Sequence, residues 1–249
     1  MDGNLIFKHK KGQVTPIIIV AVLVVAGFLI YSSVGNGAQG NVDPEIEPIY
    51  NFVQECLKES AKEAILENSK YGGYFIYSKD SLDNGVPYYL KDSRNIMLTK
   101  ERLQMEIADH INTEIEFCIN DFKNFPSLKV DAGEIESLVE IQDNKVIINS
   151  RYPLGINKAE ESYQLEKFNA QIDTKLGLIY DSVVYLMEDQ IEHQDSLCVA
   201  CANDVAETYN LEVSSINFDE NVIIMTLKDD EVKIDNQALV FNYAIEYGK

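Results

Sequence analysis

The chain has 249 residues, of which 46% are hydrophobic and 25% are charged, a composition typical of a folded protein rather than a disordered one. Acidic side chains outnumber basic ones by 41 to 21, which gives a formal net charge of -20. A field of this sign repels nucleic-acid phosphates, so nucleic acid is excluded as a partner. It suits a soluble surface, a bound cation or a basic partner protein.

The N-terminal region predicts one membrane-spanning helix. No charged residue occurs from Gly12 to Val42, and the stretch from Ile17 to Ile30 is almost entirely apolar. As a helix, residues 14–34 would extend about 31 Å, which is close to the thickness of the hydrocarbon layer of a bilayer. We therefore expect the chain to contact membrane lipid through this helix.

The charges around this helix predict its direction in the membrane. Three lysines precede the apolar stretch, and the first charged residue after it is Asp43. Basic residues favour the cytoplasmic side, so the N-terminus is predicted to be cytoplasmic and the C-terminal domain extracellular. The alternative is a secretory signal peptide that is cleaved near Asn36-Gly37-Ala38.

The first residues of the chain also resemble a known type of signal sequence. The string Lys10-Lys11-Gly12-Gln13, followed by Val14-Thr15 and an apolar helix, is similar to the class III signal peptides of archaeal type IV pilin-like proteins. In that family a prepilin peptidase cuts after the glycine and leaves the helix on the mature protein. The resemblance implies that Gly12 and Gln13 flank the processing site.

Two features depart from the family pattern. Pilins usually carry a glutamate at the fifth position of the mature chain, and counting from Gln13 this position is Ile17. Pilins also tend to continue the first helix outward as a rod, whereas the glycines of residues 35–43 predict a flexible linker. The overall layout resembles single-pass surface proteins of small-genome archaea, a likeness that implies location rather than activity.

The sequence thus divides into four predicted segments. They are a cytoplasmic basic leader (residues 1–13), a transmembrane helix (14–34), a Gly-rich linker (35–43) and an acidic extracellular domain (44–249). The last segment is long enough to bury one core. Because helical and antiparallel-type strand patterns occur in mixed order, its predicted fold class is α+β.

Two amphipathic helices open the predicted domain. The first runs from Asp43-Pro44 to about Asn68, and its apolar stripe includes Cys56. The second begins after Thr99, a plausible N-cap, and continues to about Phe122. Its stripe includes Cys118, whereas His110 lies off the stripe and is expected to be solvated. Between the helices we predict a strand at Tyr74–Tyr77, a turn at Asp83-Asn84-Gly85 and a second strand at Tyr88–Leu90.

The rest of the chain alternates between strand and helix patterns. Strands are predicted where polar and apolar residues alternate, and helices where apolar residues recur every three or four positions. In chain order these are strands at Ile135–Ile141, Val146–Tyr152 and Tyr163–Ile172, helices at Leu176–Ile191 and Ser196–Tyr209, and strands at Leu211–Ile216, Val222–Leu227 and Leu239–Tyr247.

Four cysteines are the disulfide candidates: Cys56, Cys118, Cys198 and Cys201. Outside the cytoplasm an even number of cysteines indicates disulfides, for which three pairings are possible. Local pairing of the last two would leave the first two, on their helix stripes, to pair with each other. This pairing is the favoured one, and the other two stay open.

The string Cys198-Val199-Ala200-Cys201 also fits a redox-active CxxC motif at the start of a helix, where the dipole would lower a thiol pKa. A third alternative is a zinc site made by all four cysteines, although such sites are usually built from two close pairs. No cofactor and no metal are predicted, and no hydrolase, metalloprotease or P-loop motif is present in the sequence.

The leading hypothesis is a membrane-anchored extracellular structural or interaction domain, processed in the manner of a pilin, with protein partners at the cell surface. It identifies no catalytic residue. A ligand-binding module that captures its target through an acidic face is the first alternative. The second is a thiol–disulfide redox protein that uses the motif at residues 198–201.

Overall fold

A computed structural model describes residues 43–194 and 196–247. This part of the chain has an α+β architecture, in which four α-helices and a single-turn 3₁₀ helix pack with two β-sheets. The α-helices are α1 (Glu47–Lys70), α2 (Lys100–Ile119), α3 (Leu176–Glu192) and α4 (Val199–Tyr209), and the 3₁₀ helix is Asn120–Phe122. The strands are β1 (Tyr88–Lys91), β2 (Arg94–Asn95), β3 (Lys129–Ala132), β4 (Glu136–Gln142), β5 (Lys145–Lys158), β6 (Glu161–Asp173), β7 (Glu212–Asp219), β8 (Val222–Ile234) and β9 (Gln237–Glu246).

The first sheet has the strand order β2-β1-β9-β8-β7. Its pairs are antiparallel except for β1 and β9, which run parallel. Two parallel strands need a long connecting segment, and the segment that connects β1 to β9 makes up most of the domain. The arrangement places β8 and β9 in the interior of the sheet and leaves β7 at one edge.

The second sheet is built around the 14-residue strand β5. One side of β5 pairs with β6 along nearly its full length. The other side pairs first with β4 and then, nearer its end, with β3. All these pairs are antiparallel, so the sheet forms from consecutive segments that are joined by short turns.

The helices connect the two sheets. Helix α1 contacts α2, β6 of the second sheet and β9 of the first, while α3 contacts β4, β5 and β1. The apolar stripes of α1 and α2 therefore face one continuous core, as their periodicity requires. The largest fully buried side chains in it are Tyr89, Tyr243, Phe241, Ile49, Leu57, Ile65, Leu90, Leu103, Ile107, Ile111, Ile115 and Ile148.

The prediction that a transmembrane helix forms part of the fold is corrected by the structure. Among the described residues, no helix is both long and apolar enough to cross a membrane. The longest, α1, has 24 residues, but eight of them are charged. The leader, the helix expected at residues 14–34, most of the linker, and the processing candidates Gly12 and Gln13 lie outside the described residues. The fold that the structure shows is an α+β domain.

The strand predicted at Tyr74–Tyr77 is wrong, because this stretch is a loop. Gly72 and Gly73 precede it with φ angles of +56° and +86°, which reverse the chain after α1. The loop then packs on α2, where the amide of Phe75 donates to Glu106 Oε2 at 3.0 Å. Tyr74 and Phe75 are therefore half-buried without pairing to a strand, whereas Ile76 and Tyr77 remain 75% and 60% exposed.

His110 is buried rather than solvated. Its side chain is 7% exposed because the ring of Phe75 stacks on it, with ring centroids 4.3 Å apart. Its Nδ1 lies 2.6 Å from Asn68 Oδ1, so a single hydrogen bond joins α2 to the end of α1. Burial lowers the pKa of His110, against an opposing effect of the nearby glutamates.

Candidate functional site

The structure pairs all four cysteines. The Cys56–Cys118 disulfide joins α1 to α2, with the two Cα atoms 5.7 Å apart and the partners separated by 62 positions in the sequence. Cys56 is buried and Cys118 is exposed. This bridge fastens the two longest helices to each other, so its role is structural.

The Cys198–Cys201 disulfide lies at the start of α4. Cys198 is the N-cap of the helix, and its Sγ accepts a hydrogen bond of 3.1 Å from the amide of Cys201. Cys198 is half-buried, whereas Cys201 is only 9% exposed. The two sulfur atoms therefore differ in access to solvent and in their contact with the helix N-terminus.

A carboxylate from the preceding helix lies beside this disulfide. One oxygen of Asp189, near the end of α3, and the two Sγ atoms all lie within 4.8 Å of one another. The imidazole of His193 also lies beside Asp189, with its Nδ1 3.4 Å from Oδ1. Metal binding requires thiolates, and these sulfurs are joined in a disulfide, so the group does not form a metal centre in this state.

A second feature, the edge strand β7, is exposed on both of its faces. Seven of its eight residues are exposed, and Val213 is half-buried. Ile216 and Phe218 are 62% and 47% exposed, and the pairing of β7 with β8 shifts register between Asn217 and Asp219, around Phe218. An exposed edge with apolar side chains is a template for pairing with another chain.

Side chains of the helices bond to one residue on each of two edge strands of the second sheet. The side-chain amide of Gln54, on α1, bonds to the main chain of Asn169 in β6 in both directions, at 3.0 and 3.1 Å. On the opposite edge, Gln104 of α2 accepts a 3.0 Å hydrogen bond from the amide of Ile141 in β4. No equivalent side chain bonds to the outer main chain of β7 in the described part of the molecule. Its pairing with β8 thus leaves one edge open.

The open edge is also acidic. Glu212 begins β7, Asp219 ends it, and Glu220 follows directly. Lys228 of β8 pairs with Glu212 at 3.3 Å, so the charge at that end is partly balanced. An incoming strand would therefore meet apolar side chains at the middle and acidic ones at the ends.

Sequence reasoning found the cysteines but not their neighbours. The sequence did not predict that Asp189 lies near the cysteines. The signal that could have indicated this is its position in the last turns of the predicted helix that precedes them. The sequence also predicted a strand at Leu211–Ile216 without predicting that it would lie at a sheet edge. No protein-family model, no curated protein and no solved structure matches this chain.

Proposed function

We propose that this chain is an interaction domain that acts outside the cytoplasm and binds an extended segment of a partner protein by adding it as a strand to β7. The observation that carries the proposal is the eight-residue edge strand, exposed on both faces and with Ile216 and Phe218 uncovered. In strand addition, main-chain hydrogen bonds supply affinity and alternate side chains supply specificity.

The two disulfides support a location outside the cytoplasm. Disulfides persist in oxidising environments outside the cytoplasm and are rare inside it. Both pairs, Cys56–Cys118 and Cys198–Cys201, are formed in the structure. A domain of this kind meets proteins at a cell surface or in an extracytoplasmic space.

Charge favours a different protein over a second copy of this chain as the occupant. Two β7 strands paired antiparallel about a two-fold axis at Ser215 would bring the acidic start of each strand, Glu212, close to the acidic end of the other, Asp219. Like charges on neighbouring positions of a strand pair repel, and each chain carries a net charge of -20. The segment that fits has apolar residues at its centre and lysine or arginine at its ends.

A displayed library of random peptides tests this proposal. Peptides of about twelve residues are long enough to cover the whole strand, and the bait is the immobilised full chain. We expect the enriched sequences to alternate apolar residues with polar ones and to carry basic residues. Replacing Ile216 or Phe218 with Asn should weaken binding by roughly tenfold to a hundredfold, because burial of one such side chain contributes about 1.5–3 kcal/mol.

Leu138→Asn is the matched control for the side-chain substitutions. Leu138 lies on β4 and is 75% exposed, so its replacement removes a comparable exposed apolar side chain away from β7. This control should bind the selected peptides as the wild type does. The proposal fails if the selected peptides bind Ile216→Asn and Phe218→Asn at full strength, or if no alternating basic sequence is enriched.

A further inference from the structure

We propose that the Cys198–Cys201 disulfide is a redox-active site that oxidises dithiols in other proteins, with Asp189 carrying protons between the reacting thiols. The geometry points to this activity through three features that occur together: unequal access to the two sulfurs, a helix N-terminus at the more accessible one, and a carboxylate beside both. This activity is independent of strand addition at β7.

Access decides which sulfur is attacked. Cys198 is half-buried and Val199, the next residue, is 64% exposed, so a substrate thiolate can approach Sγ of Cys198 from solvent. Cys201 is 9% exposed and faces the protein. Attack therefore occurs at Cys198, and Cys201 is the leaving group. The exposed Val199 gives the substrate an apolar contact next to the reacting sulfur.

The helix stabilises the product on Cys198. When the disulfide is reduced, a thiolate at Cys198 lies at the N-cap of α4, where the helix dipole favours negative charge. The amide of Cys201 already donates to this sulfur at 3.1 Å. A low-energy thiolate is a good leaving group, so Cys198 can release the oxidised substrate in the second step.

The reaction balances with the substrate dithiol as the only co-reactant. The first substrate thiol gives its proton to the Asp189 carboxylate and attacks Sγ of Cys198; the Cys198–Cys201 bond breaks, and the Cys201 thiolate takes that proton. The second substrate thiol then gives its proton to Asp189 and attacks the substrate sulfur of the mixed disulfide, and Cys198 leaves as a thiolate. Two electrons pass from the substrate to the protein, which ends with Cys201 as a thiol, Cys198 as a thiolate and the second proton on Asp189, while the substrate becomes a disulfide.

Asp189 is placed to serve both steps. It is 26% exposed, so solvent has access to it, and one of its oxygens lies within 4.8 Å of both sulfurs. His193 is 59% exposed and lies 3.4 Å from the carboxylate, which lets it pass the second proton to water.

The experiment mixes the oxidised full chain with a synthetic peptide whose two cysteines are reduced. Mass spectrometry then follows the disulfides of both molecules. We expect one disulfide to pass from the chain to the peptide, with Cys198 and Cys201 found reduced and Cys56–Cys118 intact. Asp189→Asn should slow the transfer by about tenfold or more, the lower range of general acid–base effects. Glu188→Gln, which removes the same charge from an exposed neighbour, should react at the wild-type rate.

A trapping experiment assigns the attacked sulfur. With the disulfide-linked dimer of a peptide that has one cysteine, Cys201→Ser should form a mixed disulfide through Cys198, which no tethered thiol can reverse, whereas Cys198→Ser should not react through the buried Cys201. The proposal is overturned if excess peptide leaves Cys198–Cys201 oxidised, if both serine variants trap peptide equally, or if Asp189→Asn and Glu188→Gln transfer at the same rate. Ile216→Asn should keep the wild-type rate, so failure of one proposal does not decide the other.

Discussion

The two disulfides should contribute very unequally to stability. One joins residues separated by 62 positions and the other joins residues separated by three. Removing the first pair as Cys56→Ala with Cys118→Ala is therefore a different perturbation from removing the second pair as Cys198→Ala with Cys201→Ala. Alanine is used because it places no hydroxyl at the buried position of Cys56.

The size of the difference follows from the loops that the bridges close. In the chain-entropy model, a disulfide restricts the unfolded chain in proportion to the logarithm of loop length, which gives about 4 kcal/mol for the long loop and roughly 1.5 kcal/mol for the short one. The difference of about 3 kcal/mol depends on the ratio of the two lengths. The small cavity left at Cys56 adds to the larger loss.

Urea unfolding followed by circular dichroism measures both losses. For a slope of about 2 kcal/mol per molar urea, removing the long-range bridge should lower the midpoint by about 2 M. Removing the short bridge should lower it by less than about 1 M. Equal losses from the two double variants, or a larger loss from the pair at residues 198 and 201, would refute the reasoning that one bridge holds the fold and the other is free to be reduced.

Three further predictions concern the helices and their contacts. Lys175→Met removes the cation 3.7 Å from the fully buried carboxylate of Asp229, so the free energy of unfolding in urea should fall by about 3–5 kcal/mol, while Lys62→Met at a more exposed ion pair should cost less than about 1 kcal/mol. His110 has a pKa below its usual 6.5 in the folded chain, so the unfolded chain gains a proton first and stability should decrease as the pH falls through 6.5; a pH series of thermal unfolding should show a shallower decrease for His110→Gln. Thr99→Ala removes the side-chain acceptor at the start of α2, and its urea midpoint should correspond to a loss of about 1 kcal/mol that Thr99→Ser largely restores.

Local patterns account for the parts of the fold that could be predicted. The first helix was predicted to end near Asn68 and ends at Lys70, because its stripe and the glycines after it decide the boundary locally. The alternating residues Leu239, Phe241 and Tyr243 were predicted to share one face of the last strand, and all three are fully buried. Such features depend on neighbours within a few residues.

Features that depend on distant residues were missed. The apolar stretch at Tyr74–Tyr77 had the composition of a strand, but its partner is helix α2, on which Phe75 covers His110. The parallel pairing of β1 with β9 and the edge position of β7 follow from sheet order, which the local sequence does not encode. The approach of Asp189 to the cysteines likewise depends on how α3 turns into α4.

Amide hydrogen exchange along β7, resolved by NMR with and without a library-selected peptide, tests the proposed function most directly. In the free chain, the outward-facing amides among residues 212–219 should exchange rapidly, because water reaches the open edge. Strand addition predicts that the peptide protects these alternate amides and leaves those already paired with β8 unchanged. Peptide binding that leaves β7 exchange unaltered, or that protects the loop at Ile76 and Tyr77 instead, would contradict the account.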